Sequence, residues 1–97
     1  MTQDQAKTIL SEIANQLKSF SYADLQKLDA SEDDEWRLFR EVVIGSEKLT
    51  IFALISEWGL RRRISVELIA LSEDGAIGPE NIGCVYFERF RSGKLRG

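Results

Sequence analysis

Apolar residues in the first third of the chain recur every three or four positions. Ala6, Ile9, Leu10, Ile13, Leu17 and Phe20 fall on one stripe of a helix. Thr2 or Asp4 can accept hydrogen bonds from its first free N–H groups. Tyr22, Leu25 and Leu28 keep the same spacing after Ser21, which suits a second, shorter helix capped by that serine. The helical region is therefore predicted over about 4–28. The acidic stretch "DASEDDE" ends it, because short polar acids favour loop conformations.

From Trp36 onward the period falls to two. Trp36, Leu38, Val42 and Ile44 share one face of a strand, and Arg37, Phe39, Glu41 and Val43 share the other. Leu49, Ile51, Ala53 and Ile55 alternate with Thr50, Phe52, Leu54 and Ser56. Ile64, Val66, Leu68 and Ala70 alternate with Arg63, Ser65, Glu67 and Ile69. The segment "IGCVYFERF" is apolar on both parities, so its faces are not assigned. "GSEK", "WGL" and "SEDGAIGPEN" supply the connections. Strands are predicted at about 35–44, 48–57, 62–71 and 82–91, followed by a frayed basic tail, 92–97. The pattern describes a single α+β domain over 1–97, with one or two N-terminal helices packed on one face of a four-stranded antiparallel β-meander in the order 1-2-3-4.

Pairing Ile44 with Leu49 and Val42 with Ile51 gathers the regular apolar positions on one face, which the helices cover. Arg40 and Glu57 then reach its margins. Of the triplet Arg61, Arg62 and Arg63, the middle residue has the parity of the core face and is expected opposite Glu57, with Glu88 on its other flank. The second face mixes Phe39, Phe52 and Leu54 with Arg61, Arg63, Glu41 and Glu67, and no third helix is predicted to cover it. Aromatic and arginine side chains dominate binding hot spots. Trp58 sits at the turn beside this face, and the meander brings Arg89 and Arg91 to the same end. Phe39, Phe52, Leu54, Trp58, Arg61, Arg63, Arg89 and Arg91 are accordingly the candidate partner interface. The competing interpretation is a solvated amphipathic face whose phenylalanines are shielded by arginine stems.

Composition narrows the chemistry. The 97 residues are 43% hydrophobic and 30% charged, the balance of one globular domain. No apolar run approaches the roughly 18 residues of a membrane span, and the N-terminus lacks a secretory pattern, so a cytoplasmic location and no membrane partner are expected. Histidine is absent, which removes the commonest general base and metal ligand. Cys84 is the only cysteine; flanked by apolar neighbours, it reads as buried and inert. No catalytic, metal-binding or cofactor-binding residue is assigned, and "SEDDE" does not match a calcium loop.

The net charge of −3 is unevenly spread, with eight acids against three lysines in Met1–Glu35 and four bases against one acid in Tyr86–Gly97. A basic end and an open sheet give nucleic-acid binding a physical case. Glu41 and Glu67 among the arginines and a pI near 5.0 weigh against it. The leading expectation is a small non-catalytic protein-interaction domain of self-associating, adaptor or inhibitor type, whose partner is another protein or a second copy in a homodimer. A nucleic-acid-binding accessory protein is the alternative.

Overall fold

A computed structural model describes residues 1–28, 36–58, 60 and 62–97. The acidic stretch 29–35, together with Gly59 and Arg61, lies outside the described residues. Helix α1 spans Gln3–Lys18 and begins at a reciprocal cap: Thr2 Oγ1 accepts from Gln5 N at 3.1 Å while Gln5 Oε1 accepts from Thr2 N at 2.8 Å. Its apolar stripe buries Ala6, Leu10, Ile13, Ala14 and Leu17. Ser21 accepts from Asp24 N at 3.2 Å and opens α2, Tyr22–Leu28, which buries Leu25.

Among the described residues five strands follow: β1 (Arg37–Ile44), β2 (Glu47–Trp58), β3 (Arg63–Ser72), β4 (Val85–Phe90) and β5 (Leu95–Arg96), with a short helix α3 (Pro79–Ile82) between β3 and β4. They form one antiparallel meander in the order β1-β2-β3-β4-β5. The α+β architecture is the predicted one, with one strand more. The basic tail folds back on β4, because Gly93 takes a φ of 96° and Phe90 N donates to Lys94 O at 2.8 Å. The connection after β3 also carries more structure than its polar composition suggests. Ile77 and Ile82 drop from it into the core.

The helices cover one face of the sheet. Leu49, Ile51 and Ala53 of β2, Ile64, Val66, Leu68 and Ala70 of β3 and Phe87 of β4 form a single buried cluster with the inner residues of α1, α2 and α3. Removing this surface from water, at about 25 cal/mol per Å², is the main force holding the layers together. The margins are polar, as expected. Arg40 Nη1 donates to Gln16 Oε1 at 3.1 Å, and Glu57 Oε2 accepts from Tyr22 Oη at 2.8 Å and from Gln26 Nε2 at 2.5 Å. Partial burial first, and then the Glu57 carboxylate, push the Tyr22 phenol above its ordinary pKa.

Three register details differ from the alternation pattern. The β1–β2 turn has only two residues, Gly45 and Ser46, so Ile44 pairs with Glu47 and Val42 with Leu49. This two-residue slide leaves every face unchanged. A β-bulge between Leu38 and Arg40 does change faces: Leu38 pairs with Phe52 and Arg40 with Ile51, leaving Phe39 as the extra residue. Phe39 packs on the buried cluster, whereas Leu38, expected in the core, is 58% exposed. Finally, Arg62 does not face Glu57. It lies in the β2–β3 turn at φ 53°, its carbonyl accepts from Arg91 N, and Ile64 takes the position opposite Glu57.

The bulge predicts an inversion of mutational cost. Phe39→Ala should destabilise by about 2 kcal/mol, less than a fully buried phenylalanine because the site is only partly covered. Leu38→Ala should change stability by no more than about 0.5 kcal/mol. Urea denaturation of both variants measures this, and the opposite ranking would restore an unbulged β1.

Candidate functional site

Directly opposite residues of antiparallel strands share a face, so the register lays out the side of the sheet away from the helices as rows. Leu38, Phe52 and Ile69 form an apolar row across β1, β2 and β3. Leu54, Glu67 and Tyr86 form the next across β2, β3 and β4, followed by Ser56, Ser65 and Glu88 and then by Trp58, Arg63 and Phe90. Val43 is 67% exposed, Trp58 47% and Tyr86 46%, and among the described residues no helix lies over them.

The Trp58 end of this face is polar and tightly held. Arg63 Nη1 lies 2.8 Å from Glu88 Oε2, and the guanidinium stands over the Trp58 ring with its Cζ 5.8 Å from the ring centroid. The indole Nε1 donates to Ser65 Oγ at 3.0 Å. Glu88 is only 6% exposed. Neither Glu88 Oε2 nor Arg63 Nε has an aligned hydrogen bond among the described residues, so the pair is an ionic contact rather than a fork of parallel bonds. Arg63 is nevertheless fixed before any partner arrives, which lowers the ordering cost of using it in recognition.

Of the eight candidate residues, Phe52, Leu54, Trp58 and Arg63 stand together on this face. Phe39 does not, because the bulge turns it to the helices. Arg89 pairs with Ile64 on the helix-covered side, where its guanidinium donates to Gly93 O at 2.7 Å and to Lys18 O, closing the last turn of α1. Arg91 is exposed at the end of β4 and lines a cleft of about 600 Å³ with Tyr22 and Gln26, away from the open face. Arg61 lies outside the described residues. Sequence pattern missed Leu38, which only the bulge exposes, and Tyr86, whose facing follows once Phe87 is known to be buried. It also missed Leu60, fully exposed in the β2–β3 turn.

Cys84 is exposed, not buried as expected. Partial desolvation and, next, a hydrogen bond to the Glu67 carboxylate hold its thiol above the usual cysteine pKa. The thiolate is the nucleophile, so this position suppresses reactivity near neutral pH. Among the described residues no group of three or more His, Cys, Asp or Glu side chains could hold a metal ion, and no helix is long and apolar enough to cross a membrane. No protein-family model, curated protein or solved structure matches the chain.

Two measurements probe these electrostatics. The pH profile of iodoacetamide alkylation at Cys84 should have its midpoint above that of free cysteine, and Glu67→Gln should move it down and speed the reaction at pH 8. An unmoved midpoint would remove Glu67 from the thiol's environment. Glu88→Ala should destabilise by about 1–3 kcal/mol in denaturant titration, because it leaves the largely buried Arg63 without its counter-charge.

Proposed function

We propose that this chain is a small non-catalytic protein-interaction module that acts in the cytoplasm through the open sheet face and the Trp58 end of the β2–β3 hairpin. The observation that carries this reading is the apolar row Leu38, Phe52 and Ile69 with Leu54 and Tyr86 in the row beside it, over which no helix lies among the described residues, bounded by a pre-positioned Arg63 and an exposed Trp58. Single exposed apolar residues are ordinary, but a contiguous patch with aromatic and arginine anchors is the composition of a binding surface. Nucleic-acid binding is supported less well, since Lys48 and Arg63 on this face are matched to Glu41 and Glu88 rather than left for phosphates.

The test is a pair of charge substitutions, Leu38→Lys and Tyr86→Lys. Both should leave the circular dichroism unchanged and stability within about 0.5 kcal/mol of the parent, as surface changes do, while weakening association with a protein partner or with a second copy. Unfolding of both variants would make these residues structural and sink the reading. Binding of single-stranded oligonucleotides at low salt that both substitutions strengthen would replace it with the nucleic-acid alternative.

A further inference from the structure

The sheet offers a partner two kinds of contact, its edges and its open face, and the edges are blunted. β1 is bulged at Phe39 and carries Arg40 and Glu41, and β5 on the far side is only two residues long. Bulges, charges and short outer strands are the devices that deter strand addition. Face-to-face stacking is the mode left open.

The charges on that face are self-compensating. Its strand positions hold Glu41, Glu67 and Glu88 against Lys48, Arg63 and Arg96. Two pairs are already in contact, Lys48 with Glu41 at 3.1 Å and Arg63 with Glu88 at 2.8 Å. Among the described strand positions a strongly charged partner finds no complementary field, whereas an identical face meets no net repulsion from them. Each row crosses three of the strands β1–β4, roughly 15 Å, and the rows run roughly 30 Å along them, on the order of 450 Å² in projection. That is a little over half the ~800 Å² per partner of a standard interface, the size of a weak, reversible contact.

Resting on the interaction reading above, we infer that the partner is a second copy of this chain. Two open sheets pack across a two-fold axis as a β-sandwich, with Phe52, Leu54 and Ile69 near its middle and Trp58 and Arg63 toward its rim. Twisted sheets stack face to face about 10 Å apart at about 30°, a gap that interdigitating side chains fill. The contact is isologous and closed, so it stops at the dimer instead of growing into a filament.

Sedimentation equilibrium of the whole chain tests the inference, with Cys84 alkylation as a second readout because this lone thiol lies beside Glu67 of the same face. The expected mass is twice 11.0 kDa, and alkylation should slow as protein concentration rises. Combining Leu38→Lys with Tyr86→Lys should weaken dimerisation by at least about tenfold and abolish that slowing, with circular dichroism unchanged. Should this double variant not fold, Val43→Lys, at the most exposed apolar position of the face, decides by the same two readouts. A wild-type chain that stays monomeric at millimolar concentration, while the lysine variants fold, overturns the second-copy inference and leaves the face to a different protein. A dimer undiminished by the substitutions places the contact elsewhere and also overturns it. Failure of all the variants to fold would instead sink the open-face reading on which it rests.

Discussion

Everything else in the molecule follows from the long antiparallel pairing of β2 with β3. Ten consecutive residue pairs, from Leu49 with Ser72 to Trp58 with Arg63, run without a register break. Because side chains alternate strictly, burying Leu49, Ile51, Ala53, Ile64, Val66, Leu68 and Ala70 beneath the helices forces Phe52, Leu54 and Ile69 onto the opposite side. A one-residue slip would exchange the two sets. Among the described residues α1, α2 and α3 all contribute to the same buried cluster, and none of them is left to lie over the second face.

Legibility tracked that alternation. β2 and β3 could be read directly because their apolar and polar positions separate by parity. β1 could not, since a bulge inserts one residue and reverses the facing of everything before it; Leu38 and Phe39 are both apolar, and nothing in their identity says which is buried. β4 is apolar on both parities, so its facing depends on a partner strand. Only the pairing of Phe87 with Val66 turns Phe87 inward and Tyr86 and Glu88 outward. The basic tail carries no hydrophobic period at all, and the one local signal for β5 was a glycine in "RSGK", which permits the positive φ of its turn.

The candidate site was legible to the same extent. Phe52, Leu54, Trp58 and Arg63 lie on the regular strands or immediately beside their turn, and their common face follows from parity. Arg89 and Arg91 were grouped with them by topology, which brings chain segments to one end of a sheet but does not choose a side. Arg89 is drawn to the helix side because the carbonyl at the end of α1 needs a donor there. The arginine triplet divides similarly. Arg62 takes a left-handed backbone conformation in the turn, while Arg63 enters β3 and meets Glu88. Glu88 pairs with Arg63 and not, as expected, with Arg62, one residue along and on the open face.

That displacement matters for how the open face is bounded. Replacing the Arg63–Glu88 pair by apolar residues of similar size would cost little stability, since desolvation offsets much of the attraction in such pairs. It would also extend the apolar rows through to Phe90 and Trp58. With the pair in place, the apolar area ends at the row of Ser56 and Ser65, and Trp58 is anchored by its hydrogen bond to Ser65. A surface without that boundary could slide along a partner in steps of two residues with little change in contact. Fixed ionic groups at one end make such steps unequal, because each slide would press Arg63 or Glu88 against an apolar row. On the proposed interaction reading, the pair therefore sets the register in which the face is used, and the apolar rows beside it supply the affinity.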